Sequence, residues 1–192
     1  MKEEGEYLEG EKNGIWKEYN YNGTMKEEGE YIKGKKNGIL KEYIYNGKLE
    51  FQGEYKDGLR NGKGKEYFDN GNVLYEGEYA DDLRKGNGKE YFRNGKILFS
   101  GEYLKGKKWN GDGYSNKFDF IEFTLINGKG RVIEYDYYEE LIYEGEYKNG
   151  ERNGRCYYKQ SERNTNYNQY QQNDSFDNNY SMSNSDSDGD SD

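Results

Sequence analysis

Apolar and polar positions recur with a period of 24 residues along most of the chain. The triplet Gly-Glu-Tyr occurs five times in succession at this spacing, and a sixth copy follows after a longer interval. A period of this length predicts a repeat architecture, in which each unit buries its apolar face by stacking on its neighbours. The triplets begin at Gly5, Gly29, Gly53, Gly77, Gly101 and Gly145.

Each unit contains two runs with the alternation of a β-strand. In the run 73–79, Tyr75, Gly77 and Tyr79 fall on one face, because successive side chains of a strand point to opposite faces. We expect the missing side chain at Gly77 to admit an aromatic ring from a neighbouring strand. A second run, such as 64–68, completes the unit.

Turn signals separate these runs. An Asn-Gly pair follows each second run and predicts a tight hairpin turn, because this dipeptide readily adopts positive φ angles. The opposite turns, such as 56–62, are longer and also contain glycine. Alternating turns of these two kinds predict a meander of antiparallel hairpins. The Asn-Gly pairs lie at 22–23, 46–47, 70–71 and 94–95.

These patterns predict an all-β fold over residues 1–160, an elongated single-layer antiparallel meander of about seven stacked β-hairpins. Helical repeats are disfavoured because 26 of the 27 glycines lie in that range, and each glycine within a helix costs about 1 kcal/mol relative to alanine. Residues 161–192 are polar and of low complexity, so we expect a disordered acidic tail.

The period is interrupted between Gly101 and Gly145, which are 44 residues apart. Ile121-Glu122-Phe123 takes the place of a triplet, which indicates a shortened fifth unit followed by a degenerate sixth. We expect the ribbon to bend between these two units. Four aromatic residues either pack this bend or form a partner-binding patch: Trp109, Phe118, Phe120 and Phe123. The units then begin near residues 5, 29, 53, 77, 101, 121 and 145.

Charge and composition narrow the classes of function. The net charge is −9, but residues 1–160 carry only −3 of it and the tail carries −6. A nearly neutral repeat body argues against binding to nucleic-acid backbones. The single cysteine, Cys156, rules out an internal disulfide and favours the reducing cytoplasm. We also find no apolar stretch typical of a signal peptide or a membrane-spanning helix.

Catalytic chemistry finds little support in this sequence. The chain has no histidine, the commonest general base and metal ligand, so we predict neither an enzyme nor a metal or cofactor site. The glutamates of the triplets recur as a regular row, which we interpret as a solvated face balanced by Lys17, Lys41, Lys65 and Lys89. In the tail, Ser183, Ser185 and Ser187 each precede an aspartate by three positions and are candidate phosphorylation sites.

The longer turns carry more positive charge than the Asn-Gly turns. Because the hairpins stack, these cations should line one edge of the ribbon, where they would meet anionic lipid headgroups or an acidic partner. Ordinary solvated turns explain the same residues. The candidate binding residues are Lys33, Lys35, Lys36, Arg60, Arg84, Lys85, Lys105, Lys107 and Lys108.

The segment YEGEYADDLRKGNG at 75–88 resembles the MORN repeat, and KNGIWKEYNYNG at 12–23 is similar to its MORN-2 variant. The resemblance covers about 1–160. It implies a scaffold at membranes or the cytoskeleton and, in some members, phosphoinositide binding. The family often has histidine where Asn13 and Asn37 stand, so a role that needs imidazole does not carry over.

We therefore predict a non-catalytic scaffold whose Tyr- and Gly-rich ribbon binds or spaces protein partners. The alternative is peripheral binding of anionic phospholipids, including phosphoinositides, through the basic turn edge. We expect a cytoplasmic protein, peripheral to a membrane or to the cytoskeleton, and no nucleic-acid partner. The first hairpin has an open strand edge, which makes end-to-end self-association a further prediction.

Overall fold

Fourteen β-strands and the turns between them make up the described part of the chain. The computed structural model describes residues 2–118, 120–136 and 138–153. The strands are β1 (Lys2–Leu8), β2 (Glu11–Tyr19), β3 (Met25–Ile32), β4 (Lys35–Tyr43), β5 (Leu49–Lys56), β6 (Leu59–Tyr67), β7 (Val73–Ala80), β8 (Leu83–Tyr91), β9 (Ile97–Leu104), β10 (Lys107–Tyr114), β11 (Ile121–Leu125), β12 (Gly130–Tyr135), β13 (Leu141–Lys148) and β14 (Glu151–Asn153).

The strands pair in chain order as an antiparallel meander, which confirms the predicted fold class. β1 to β11 form one sheet, and β12 to β14 form a second sheet. The strand pairing is interrupted one strand after the junction of units five and six, where we expect a bend, because β10 and β11 are still paired with each other. The interruption lies inside the sixth hairpin, where a single bridge between Ile126 and Lys129 precedes β12.

The two kinds of turn have lengths opposite to those predicted. Within each hairpin only two residues make the turn, and both have positive φ, as at Asp57 (53°) and Gly58 (95°). The four Asn-Gly pairs at 22–23, 46–47, 70–71 and 94–95 lie instead in the longer loops between hairpins, where Gly71 has a φ of 88° and its N–H donates to the Phe68 carbonyl (2.9 Å). The Asn-Gly prediction was therefore right about turns and wrong about which turn is tight.

Each two-residue turn after the first donates a hydrogen bond to the preceding hairpin, along one edge of the meander. The N–H of Gly58, for example, donates to the carbonyl of Lys36 in the preceding hairpin (2.9 Å). The series crosses the interruption, because Gly128 donates to Trp109 (2.7 Å) and Gly150 donates to Gly128 (2.9 Å). This edge is therefore continuous where the strand pairing is not.

Aromatic rings pack along one face of the first sheet, which we call the ring face. The Tyr75 ring makes edge-to-face contacts with Tyr79 (5.6 Å between centroids) and Tyr103 (5.2 Å). Its hydroxyl occupies the space that a Cβ would need at both Gly77 and Gly88. The ring over Gly77 thus comes from the glycine's own strand, β7, and not from a neighbouring strand as predicted.

Candidate interaction surfaces

A series of alternating charges covers the ring face. Arg60 forms ion pairs with Glu42 (2.9 Å) and Glu66 (3.9 Å), while Arg84 pairs with Glu66 (2.7 Å) and with Glu90. Because these cations bridge carboxylates of successive hairpins, the pairs form one continuous series, which we call the ion-pair ladder. In order, its members are Glu27, Lys36, Glu42, Arg60, Glu66, Arg84, Glu90 and Lys108.

The arginines of the ladder lie over the rings. The guanidinium carbon of Arg60 is 3.9 Å from the centroid of Phe51, and that of Arg84 is 4.0 Å from the centroid of Tyr75. At this distance the cation is attracted by the negative face of the ring. Both rings are fully buried, so the ladder takes the part that a second layer of secondary structure has in most folds.

Two carboxylates of the ladder, Glu42 and Glu90, are held in their charged form. Burial alone would raise the pKa of the Glu42 carboxyl, but the hydrogen bonds from Lys36 and Arg60 outweigh burial and hold this pKa below its ordinary value. Burial opposes ionisation of Glu90 in the same way, and attraction to Lys108 and Arg84 holds its pKa low. These carboxylates therefore stay ionised at neutral pH.

The ladder divides the predicted basic turn edge into two groups. Lys36, Arg60, Arg84 and Lys108 belong to the ladder and do not form a free cationic edge. Their hairpin partners explain this, because the residues directly opposite them are the ring-face tyrosines, and residues opposite each other point to the same face. The other five are exposed, and of these Lys107 pairs with Glu151 (2.5 Å).

Acidic residues separate the exposed cations along that edge. The two-residue turns and their flanks carry Lys33 and Lys35 in the second unit, but Asp81 and Asp82 in the fourth. The fifth unit is basic again, with Lys105 and Lys107. The remaining positive charge is therefore confined to separate turns. The first turn is acidic, with exposed Glu9 and Glu11.

The glutamates of the triplets have a role that the sequence interpretation missed. A Cβ added to Gly62, whose φ is 110°, would lie 2.5 Å from a carboxylate oxygen of Glu54, and the other oxygen accepts a hydrogen bond from the Lys63 N–H (3.1 Å). Glu54 therefore covers the bulge that lies between Arg60 and Gly64 in β6. Of the lysines predicted to balance this row, Lys41 and Lys65 pair instead with the glutamates that stand directly before a triplet, Glu28 (3.0 Å) and Glu76 (2.9 Å).

A trough lies on the opposite face of the sheet, which we call the polar face. Glu76 and Glu78 flank Gly77 in β7 and so point away from the rings of Tyr75 and Tyr79. The trough encloses about 730 Å³ and runs across β5 to β9, between two rows of side chains on either side of a backbone floor. No sequence signal marked it, because it depends on which strands are adjacent.

Two family models match the repeats of this chain. The model described as MORN repeat matches residues 51–73, 75–97 and 143–161, and the model described as MORN repeat variant matches 12–33 and 36–57. These matches together cover more than half of the chain. The chain belongs to the MORN repeat family. A search of curated proteins finds no match.

The two kinds of MORN unit fill the core in different ways. Leu40, in the variant part, reaches over Gly29 of the neighbouring strand. The position two residues before Gly29 is Glu27, so it supplies no aromatic ring. In the following part, Phe51 takes up this space, and a Cβ added at Gly64 would lie 2.7 Å from its Cζ. The residue that fills the space above the glycines is therefore on the second strand of the hairpin in the variant part (Leu40 in β4) and on the first strand in the following part (Phe51 in β5).

The four aromatic residues predicted at the junction of MORN units five and six do not gather into one patch. Phe123 is buried and stacks on Phe99, with centroids 6.4 Å apart. Trp109 lies against Gly128 in the edge between the two sheets. Phe118 and Phe120 stack on each other at 5.8 Å and are 63% and 50% exposed. Packing thus accounts for two of the four residues.

The MORN family is a non-catalytic repeat family whose members generally interact with proteins or membranes. Within residues 2–118, 120–136 and 138–153, no group of three or more acidic, histidine or cysteine side chains is arranged to hold a metal ion. The same residues include no helix long and apolar enough to cross a membrane. Cys156 and the predicted phosphorylation sites Ser183, Ser185 and Ser187 lie outside the described residues.

Proposed function

We propose that this chain is a non-catalytic scaffold that binds protein partners on the polar face of its MORN sheet. The observation that carries the proposal is the difference between the two faces. The ring face is covered by the ion-pair ladder, whereas the polar face has an open trough across β5 to β9. Breaking a buried ion pair is costly. A partner on the polar face binds without doing so.

The repeat gives this surface fixed dimensions. Neighbouring strands are about 4.8 Å apart, and a hydrogen bond from each two-residue turn holds its hairpin to the one before it. Side chains at the same repeat position are therefore presented two strands apart, at intervals of about 9.6 Å. A surface of this kind suits the role of holding partners at defined positions.

The alternative, peripheral binding to anionic phospholipids, rests on the exposed cations Lys33, Lys35, Lys85, Lys105 and Lys107. Each well-placed cation near an anionic membrane contributes about 1 kcal/mol. The acidic turns between these cations weaken the attraction of the edge as a whole. Cytoplasmic placement and end-to-end pairing through the edge strand β1 stay predictions beside this proposal.

The scaffold function is tested by affinity capture. The full-length chain is immobilised and incubated with native cell extract, and the retained proteins are identified by mass spectrometry. We expect proteins that also bind the purified chain directly and stay bound in moderate salt. If nothing is retained above bare resin, the proposal fails.

The lipid function is tested by sedimenting the chain with vesicles of phosphatidylcholine and phosphatidylserine. Binding that is lost on Lys105→Glu and Lys107→Glu would instead favour the lipid function.

A further inference from the structure

The charges in the trough are arranged in bands that run parallel to the strands. On the polar face, β6 presents Lys63 and Lys65, and the next strand, β7, presents Glu76 and Glu78. The two cross-strand pairs are Lys63 with Glu78 and Lys65 with Glu76. Across the trough, therefore, a doubly positive band adjoins a doubly negative one.

The bands continue on both sides. Glu54 of β5 makes a negative band before β6, and Lys89 of β8 makes a positive band after β7. The other side chains that β5, β8 and β9 contribute to the trough are uncharged: Gln52, Asn87 and Ser100. Ile39 of β4 closes one end of the trough and is 64% exposed. From β4 to β8 the order is apolar, negative, positive, negative, positive.

Two of these cations have no ion-pair partner among the described residues. Lys63 and Lys89 stand opposite Glu78 and Glu76 but form no ion pair within that part of the chain, whereas Lys65 forms one with Glu76 (2.9 Å). Glu76 also accepts a hydrogen bond from the Tyr91 hydroxyl (2.6 Å). Lys89 lies between Glu76 of β7 and the uncharged Ser100 of β9. Because Lys65 already pairs with Glu76, the Lys89 ammonium group can still meet an external anion.

The spacing of the bands selects the shape of the occupant. Neighbouring bands are about 4.8 Å apart, while facing side chains of an extended strand recur only every 6.6–6.8 Å, by about two residues of rise. An α-helix places residues i, i+3, i+7, i+10 and i+14 on one stripe, at about 0, 4.5, 10.5, 15 and 21 Å along its axis. The five bands lie at about 0, 4.8, 9.6, 14.4 and 19.2 Å, which matches the helix to within about 2 Å.

We propose that the trough binds an α-helix of a protein partner, lying across β4 to β8, whose facing stripe reads apolar, basic, acidic, basic, acidic. This rests on the proposed scaffold function and specifies the chemistry of one partner segment. The helix covers the backbone floor, and its charges meet the bands of opposite sign. Backbone pairing with an extended peptide is not available there, because β5 to β8 are paired on both sides.

The test uses synthetic alanine-based peptides of about 18 residues, stapled on the far side to hold the helix. The matched peptide carries Leu, Lys, Glu, Lys and Glu at i, i+3, i+7, i+10 and i+14, and the inverted peptide exchanges Lys and Glu. Fluorescence anisotropy with the full chain should show the matched peptide binding at least about tenfold more tightly. Equal affinities, or no binding of the matched peptide, would overturn the proposal.

Two variants locate the peptide. Lys89→Glu should weaken binding of the matched peptide about fivefold or more, whereas Lys17→Glu should leave it unchanged. Lys17 is the matched control because it occupies the same repeat position three units earlier and lies outside the trough. Equal effects of the two variants would contradict the site. An unstapled peptide with a central proline should not bind, and if it does, the helical occupant is wrong. None of these results depends on what is captured from extract.

Discussion

The guanidinium of Arg84 lies 4.0 Å from the ring centroid of Tyr75. The same guanidinium pairs with Glu66 of the preceding unit and Glu90 of its own unit. One side chain thus covers a buried ring and neutralises two carboxylates. The cohesion of the repeat array depends on such contacts, because each unit has few apolar side chains of its own.

Replacing Arg84 by alanine should lower the free energy of unfolding by about 3 kcal/mol, since two carboxylates lose their shared cation and a ring loses its cover. Urea denaturation followed by circular dichroism measures this change. Lys105→Ala, at an exposed turn, is the control and should change stability by less than about 0.5 kcal/mol. Equal losses in both variants would show that the ladder does not stabilise the fold.

Acid should destabilise the protein through the ladder. The pKa values of Glu42 and Glu90 are lower in the folded chain than in the unfolded chain, where glutamate titrates near about 4.3. Both groups therefore stabilise the fold above that pH, and the stabilisation is lost as the pH falls through the folded values.

The free energy of unfolding, measured from neutral pH down to about pH 3, should fall steeply at the acid end. Glu42→Gln should be less stable at neutral pH and should show a shallower acid dependence, because it removes one of the linked protons. An unchanged slope in Glu42→Gln would contradict the assignment.

The aromatic way of filling the core should be convertible into the leucine way only when Phe51 and Gly64 are changed together. Phe51→Ala alone should cost about 3–4 kcal/mol, and Gly64→Leu alone about 2–3 kcal/mol, because the new side chain meets the Phe51 ring. The double variant resembles the second unit, where Leu40 takes the position of Gly64 and Glu27 takes the position of Phe51. It should be about 2 kcal/mol more stable than the sum of the single changes.

Phe99→Ala combined with Gly64→Leu provides the control for this coupling. Phe99 packs on Tyr103 and Phe123, so its loss should add to that of Gly64→Leu without interaction. Equal coupling in both pairs would mean that the ring at Phe51 and the side chain at position 64 do not compete for one space.

The local chemistry of this chain predicted the hairpin meander well. The period of the Gly-Glu-Tyr triplets and the alternation around Gly77 depend only on neighbouring residues, and both are reproduced in β7 and its equivalents. The tight turn was assigned to the wrong dipeptide, because Asp57-Gly58 and Asn70-Gly71 carry similar local signals. Their difference appears only when Lys56 is paired with Leu59.

The ladder could have been predicted, and the trough could not. Arg60 stands directly opposite Tyr55 across the two-residue turn, and opposite residues share a face, so a correct turn would have placed Arg60 on the ring face. The trough depends on a register shift between Gly53 and Tyr55 and on the neighbours of each strand. These are properties of the assembled sheet and not of one segment.

The most direct test of the central claim blocks one surface at a time. Asn87→Cys places a thiol in the trough and Lys105→Cys places one at an exposed turn, both in a Cys156→Ser background. Each is labelled with a bulky maleimide before capture from native extract. We expect the label at position 87 to abolish retention of protein partners, while the label at position 105 and the unlabelled variants leave it intact. Retention that survives the label at position 87 but is lost with the label at position 105 would contradict binding on the polar face.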